Sequence, residues 1–217
     1  MNILEKHEIF EMEVLDKLNS ARILDFLVFG GGSMLRLCHE MKRFSVDLDF
    51  WKTRDIRDER ILAEIEATMS QEYEITDSQL KYFTILIEVR SPHFPRRLKI
   101  EIRRELREWD YEHKIAFSKF STLQVLVKAH TLKQTLINKI HALLDRGEIR
   151  DAFDIEFILR KGVELPSLSK TERAALLKQL EKFKTEDFKV ILGSLLEPDI
   201  RKYYIEQQFS FLREKLM

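Results

Sequence analysis

Residues 29–51, FGGGSMLRLCHEMKRFSVDLDFW, combine three local patterns within one short stretch. The apolar run at residues 23–29 predicts a short buried strand that stops at the glycine triplet 30–32. Ser33 is predicted as the N-cap of a helix, because apolar residues recur at helical spacing after it. Residues 46–50, VDLDF, alternate, which predicts a second strand with both carboxylates on one face.

This strand–turn–helix–strand unit suits phosphate and a divalent cation. A glycine turn that opens a helix directs backbone N–H groups and the positive end of the helix dipole to one point, so Gly31, Gly32 and Ser33 are candidate phosphate-binding residues. Asp47 and Asp49 lie about 6.5–7 Å apart at the backbone and could share Mg²⁺ or Mn²⁺. Alone, such glycines are more often a tight turn, and an Asp-x-Asp pair more often an exposed strand edge; their combination indicates a nucleotide site.

The same unit resembles the start of the nucleotidyltransferase superfamily fold. More narrowly, GGSML at residues 31–35 and RFSVDLDF at residues 43–50 resemble the GG[ST]xL and RxSxDLDF blocks of the AbiEii/AbiGii-type family. Members of that family are toxin nucleotidyltransferases of bacterial toxin–antitoxin and phage-defence loci. The resemblance implies that the glycine turn binds a nucleoside triphosphate and that Asp47 and Asp49 bind magnesium.

Composition limits the class of protein. The 217 residues are 44% hydrophobic, which suits one domain or two closely packed lobes. Its 37 basic and 37 acidic side chains give a net charge of zero, which argues against a chain that coats nucleic acid over its whole surface. We expect no membrane span and no secretory signal, and the single Cys38, predicted as a buried apolar filler, agrees with a cytoplasmic location.

Two alternating segments, residues 83–90 and 98–103, predict an antiparallel pair joined by a proline-bounded loop. The segment LKIEI at residues 98–102 resembles the family's strand for a third metal-binding carboxylate, with glutamate in place of aspartate. The resemblance therefore implies Glu101 as a further metal ligand; the alternative is an exposed, salt-bridged strand edge. Seven basic residues against two acidic ones between positions 90 and 107 could follow a polynucleotide backbone or form an ordinary surface.

The last part of the chain is predicted to be helical from about residue 123. Lys139 and Arg146 lie on one edge of an apolar helical stripe, where a lysine can reach into a cleft or simply snorkel at a core border. Residues 139–154 resemble the family's KxxALxxR…RDxxD block. The resemblance implies catalytic roles for Lys139 and Asp151 and nucleotide binding by Lys139 and Arg146, with Asp154 as a further candidate; alternatively the Arg-Asp pair is an internal ion pair that fixes a bend at Gly147.

These observations predict an α+β fold: a nucleotidyltransferase-like mixed sheet with covering helices over residues 1–118, then a helical lobe over residues 119–217, with a cleft between them. The resemblance implies Mg²⁺-dependent transfer of a nucleotide from an NTP to an acceptor hydroxyl, notably the 3′ end of tRNA, and a cognate antitoxin as partner. Two alternatives stay open: nucleotide transfer to a protein hydroxyl, and a catalytically silent nucleotide- or RNA-binding module.

Overall fold

The computed structural model describes residues 1–217, which form two compact units. The first, the sheet unit, comprises residues 1–40 and 44–130; the second, the helical unit, comprises residues 41–43 and 131–217. The predicted α+β class is confirmed. The boundary lies after His130 rather than at residue 118, because residues 124–130, which we expected to be helical, form a strand of the sheet unit.

The sheet unit contains one seven-stranded mixed sheet, in the order β3-β4-β5-β2-β1-β7-β6. Its strands are β1 Leu27–Gly30, β2 Asp47–Lys52, β3 Glu74–Leu80, β4 Thr84–Arg90, β5 Leu98–Arg103, β6 Tyr111–Phe117 and β7 Gln124–His130. The predicted antiparallel pairing of β4 with β5 is confirmed. Strand β2 pairs antiparallel with β1 and parallel with β5, so the Asp-x-Asp segment occupies the middle of the sheet.

Three helices, α1 Ile3–Ser20, α2 Gly31–His39 and α3 Asp58–Met69, pack on the sheet. In β2, Leu48 and Phe50 are fully buried whereas Asp47 and Asp49 are partly exposed, as the alternation predicts. The thiol of Cys38, at the end of α2, has its pKa raised to about 12 by burial, so it is not ionised near neutral pH.

The helical unit consists of α4 Leu132–Arg146, α5 Ile149–Arg160, α6 Lys170–Lys182, a π-helical segment Asp187–Leu192, α7 Pro198–Gln207 and α8 Ser210–Leu216. Its core contains Phe188 and Phe209, whose ring centroids lie 5.1 Å apart. Left-handed backbone at Gln208 and Phe209 separates α7 from α8. None of the helices in the chain combines the length and apolar character needed to cross a membrane.

Candidate active site

The glycine turn itself begins helix α2. Gly30 is the N-cap residue, and Gly31, with a left-handed φ of 70°, is the first residue of the helix. The prediction that Ser33 caps the helix is therefore wrong, because the helix starts two residues earlier. Ser33 lies in the first turn, and its buried hydroxyl donates to the backbone carbonyl of Asp47 at 2.6 Å. The hydroxyl thus links α2 to the first residue of β2.

The carboxylate of Asp49 lies against this turn. Asp49 is the register partner of Gly30 in the β1–β2 pair. A Cβ atom added to Gly31 would lie 2.1 Å from Asp49 Oδ2, a distance that no side chain tolerates. The absence of a side chain at Gly31 is therefore what allows the Asp49 carboxylate to approach the N-terminus of α2, where unpaired backbone N–H groups are concentrated.

Asp47 and Asp49 share one face of β2, and the neighbouring strand adds Glu101 to it. In the parallel β2–β5 pair Asp49 is opposite Glu101, so the two side chains project to the same face. No group of three or more His, Cys, Asp or Glu side chains in the chain is arranged to hold a metal ion. Mg²⁺ is usually bound by one or two carboxylates together with waters and substrate phosphates, so the Asp47–Asp49 pair fits magnesium, and the role of Glu101 stays a prediction.

A buried polar cluster supports the first residues of β2 from helix α1. The Ser33 hydroxyl lies 3.0 Å from Glu11 Oε1, and His7 Nε2 lies 2.9 Å from the carbonyl oxygen of Val46. Burial, reinforced by the charge of Glu8, raises the pKa of Glu11 well above its usual value. Ser33 has one proton for two acceptors, the Asp47 carbonyl and Glu11, and the raised pKa of Glu11 favours the protonated carboxyl that could donate to Ser33 instead. This cluster was not predicted, although acidic residues on the apolar face of an amphipathic helix are a signal for it in the sequence.

In the helical unit Lys139 lies between two carboxylates. Its Nζ is 3.1 Å from Asp151 Oδ1 and 2.6 Å from Asp154 Oδ2, and neither aspartate side chain is exposed. Arg146 donates from Nε and Nη2 to Asp151 at 2.8 and 2.9 Å. Arg43 binds Asp154 through Nε and Nη2 at 2.8–2.9 Å. Three cations therefore enclose two buried carboxylates; we call this set the ion network.

The ion network fixes the charge of its members. Burial lowers the pKa of Lys139, but the carboxylates of Asp154 and Asp151 outweigh it and raise that pKa above its usual value. Burial likewise raises the pKa of Asp151, but the hydrogen bonds from Arg146 and the charge of Lys139 hold it below its usual range. Lys139 is thus a cation and Asp151 an anion throughout the neutral range.

The bend between α4 and α5 is closed by a different ion pair from the one we considered. Gly147 has a left-handed φ of 65°, and Arg146 and Asp151, on either side of it, form the two-bond contact described above. Arg150 instead binds Glu148. The ion-pair interpretation is therefore supported for Asp151, with Arg146 rather than Arg150 as its partner.

The structure places the predicted site residues in two sets. Gly31, Gly32, Ser33, Asp47, Asp49 and Glu101 belong to the sheet unit; Lys139, Arg146 and Asp151 belong to the helical unit. No partner was predicted for Arg43, although this arginine opens the RxSxDLDF block. Its pairing with Asp154, 111 residues away, joins two of the blocks that carry the family resemblance.

Comparisons with known proteins bear on the family and the fold of the chain. The model of the family described as nucleotidyl transferase AbiEii toxin, type IV TA system, matches residues 14–216. The crystal structure of JHP933 from Helicobacter pylori is similar with a TM-score of 0.54 at 17% identity, over 96% of this chain and 93% of that one. A candidate nucleotidyltransferase from H. pylori gives a TM-score of 0.58 at 16% identity, over 96% of both chains. No curated protein matches the sequence. At these identities the two crystal structures support the fold alone.

Proposed function

This chain belongs to the AbiEii nucleotidyl transferase toxin family of type IV toxin–antitoxin systems and is a nucleotidyltransferase, and from this we propose that it transfers a nucleotide from an NTP to a hydroxyl of RNA. The proposed acceptor is the 3′ end of tRNA, and the proposed setting is the cytoplasm, with Mg²⁺ as the metal and a cognate antitoxin as partner. The observation that supports the reaction best is the approach of the Asp49 carboxylate to the glycine turn at Gly31.

The sheet unit supplies the groups that bind the triphosphate. The N–H groups of Gly31 and Gly32, in the first turn of α2, bind its outer phosphate oxygens. Asp47 and Asp49 would hold Mg²⁺, which would neutralise charge at the leaving pyrophosphate and lower the pKa of the attacking hydroxyl. Because the Ser33 hydroxyl donates to the backbone of Asp47, its part in the proposal is to position β2.

The helical unit supplies a fixed cation. Lys139 is held by Asp151 and Asp154 and neutralises phosphate charge as a point cation. Asp151 is fully buried, so it acts as a positioning residue for Lys139 and Arg146 and does not touch the substrate. The Arg146 side chain, 45% exposed while donating to Asp151, can contact the nucleotide as well.

Basic side chains beside the two carboxylates support a polyanionic acceptor. In the β2–β5 register Lys99 is opposite Asp47 and Arg103 is opposite Trp51, so both project from the carboxylate-bearing face. Both residues are exposed. Cations that border an acidic metal site favour a ligand with a phosphate backbone.

The test is a transfer assay with α-labelled NTPs, Mg²⁺ and either total tRNA or a mixture of proteins, with a chelator as control. Label in RNA supports the proposal, label in protein supports transfer to a protein hydroxyl, and nucleotide binding without transfer supports a silent module. Asp47→Ala and Asp49→Ala should each abolish transfer and keep the fold, whereas Asp77→Ala, on the edge strand β3, should leave the rate unchanged. Wild-type turnover in both site variants would show that the site is assigned wrongly.

A further inference from the structure

A cavity of about 550 Å³ lies at the end of β2, on the sheet unit. Residues 53–55, which follow β2, form one wall, and residues 106–109 with Tyr111, which precede and open β6, form the other. The volume is within the range of sites that enclose a small molecule. None of the residues discussed above as the candidate active site lines it.

One lining residue of this cavity, Trp109, belongs to an aromatic cluster. Trp109, a lining residue, lies 5.9 Å from Trp51 and 5.2 Å from His130 between ring centroids. The Arg107 guanidinium covers the Trp109 ring at 3.8 Å, and its own side chain is 48% exposed. Tyr111, 41% exposed, adds an accessible ring. Stacked guanidinium and aromatic planes are surfaces on which nucleobases stack.

The cluster adjoins the turn that contacts Asp49. A Cβ atom on Gly30 would lie 2.4 Å from the Trp51 ring and 2.8 Å from His130 Nδ1, whereas one on the next residue, Gly31, would meet Asp49. Consecutive Cα atoms are about 3.8 Å apart. Asp49 and Trp51 also share one face of β2 at roughly 6.5–7 Å. Trp51 therefore connects the strand position of Asp49 to Trp109, whose ring centroid lies 5.9 Å from that of Trp51.

The charges of the cavity suit a base better than a phosphate. Arg54 and Arg107 are balanced by Asp55 and Glu108, so there is no excess of positive charge, but donors and acceptors are both present for the polar edge of a base. Burial, together with the nearby Arg107 charge, lowers the pKa of His130 to about 4, which leaves its ring uncharged in the stack.

Two buried donors of the lining have no hydrogen-bond partner. They are Trp109 Nε1 and Thr53 Oγ1, one on each wall. An unpaired buried donor is unfavourable, and a ligand that offers an acceptor removes that cost. Two residues of the lining thus keep hydrogen-bonding capacity that no other group of the chain satisfies.

We propose that the cavity binds an unpaired nucleobase, stacked on Arg107 and Tyr111, on the same sheet unit as Asp47 and Asp49. The proposal depends on the proposed function in that a nucleotide is the substrate. The base could belong to the incoming NTP or to the single-stranded end of an RNA acceptor; the ring chemistry is the same for both.

Intrinsic fluorescence tests this directly, because Trp51 and Trp109 are the only tryptophans of the chain and both belong to the cluster. The full chain, with a chelator present to prevent transfer, is titrated with each of the four NTPs, with a single-stranded oligoribonucleotide and with ribose 5-phosphate. We expect saturable quenching by NTP or oligoribonucleotide and none by ribose 5-phosphate. Quenching by an NTP would identify the incoming nucleotide as the source of the base, and quenching by the oligoribonucleotide would identify the RNA acceptor.

Variants separate this cavity from other surfaces. Arg107→Ala and Tyr111→Ala should each weaken the quenching ligand about tenfold and raise its KM more than they lower kcat. Arg60→Ala and Tyr82→Ala, at exposed positions outside the cavity, are the matched controls and should bind as wild type. Quenching that is equal for ribose 5-phosphate, or unchanged in both cavity variants, overturns the proposal. If transfer still occurs in that case, the proposed function stands and only the base-binding cavity is wrong. If quenching depends on the base but no transfer occurs, the cavity stands and the proposed function is wrong.

Discussion

Gly31 and Asp49 are in contact through the space that a side chain at Gly31 would occupy, since a Cβ atom there would lie 2.1 Å from Asp49 Oδ2. A single glycine thereby determines both the start of helix α2 and the position of a carboxylate on β2. The relationship is specific to this residue, because the backbone at Gly31 also has the left-handed φ of 70° that other residues adopt at a cost.

Gly31→Ala should therefore displace Asp49. We expect transfer to fall about a hundredfold or more, because a shift of about 1 Å in a catalytic group has that effect, and the melting temperature to fall as well. Gly162→Ala is the matched control: its φ is 88°, but nothing lies within 4 Å of the added carbon. It should cost about 1 kcal/mol of stability with unchanged transfer. Equal activity in the two variants would contradict the role given to Gly31.

Lys139→Met should separate activity from stability. Without Lys139, Asp151 keeps Arg146 and Asp154 keeps Arg43, so we expect a stability loss of about 1.5–3 kcal/mol but a fall in transfer of about a hundredfold. Arg43→Met leaves Asp154 with Lys139 alone and should cost about 3–5 kcal/mol. Denaturant unfolding and the transfer assay measure both. A Lys139→Met protein with full activity would show that this lysine only stabilises the helical unit.

The ion network should make the helical unit sensitive to acid. The pKa of Asp151 is lowered in the folded chain, so its contribution to stability is complete above the unfolded value of 3.8 and is lost as pH falls through the folded value. We expect Asp151→Asn to be less stable than wild type at neutral pH, and the difference to shrink below pH 3.8. Thermal melts across the acid range measure it; a difference that stays constant with pH would contradict the ionic origin.

Glu11→Gln should stabilise the protein. The pKa of Glu11 is raised in the folded chain, so stability decreases as pH rises above the unfolded value of 4.5, where the unfolded chain ionises first. Gln keeps a donor for Ser33 and cannot ionise. We expect a gain of at least about 1 kcal/mol at neutral pH, or roughly 2–4 °C in Tm, and a weaker dependence on pH. Glu214→Gln, at an exposed position on α8, is the control and should leave both unchanged.

The parts of the fold that were predictable are those with a strong local pattern. Asp47 and Asp49 alternate with buried apolar residues, and that pattern alone gives the strand and the face of both carboxylates. Strand β6 was missed because it lies at the sheet edge, and of its residues only Ala116 is buried. Strand β7 did show a signal, since Val125, Val127 and Ala129 alternate, but we interpreted this region as helical.

The polar contacts of the site were less accessible to prediction. The resemblance implied roles for Lys139 and Asp151 separately, and the structure shows that the two side chains are in contact. The partner of Asp154 is Arg43, 111 residues earlier, and no local rule connects the two. The contact of Glu11 with Ser33 could not be predicted for the same reason, because Ser33 lies on another helix. Pairings at long sequence separation require the folded chain.

The parallel pairing of β2 with β5 has a consequence for biosynthesis. Asp49 is synthesised about fifty residues before its neighbour Glu101. The separation between β1 and its parallel partner β7, which ends at His130, is larger still. A nascent polypeptide that stops before β5 leaves one edge of β2 without its partner, and sheets built from such distant segments form slowly. Ribosome-bound fragments of the protein should therefore be inert, and the activity should arise only after most of the chain has been translated.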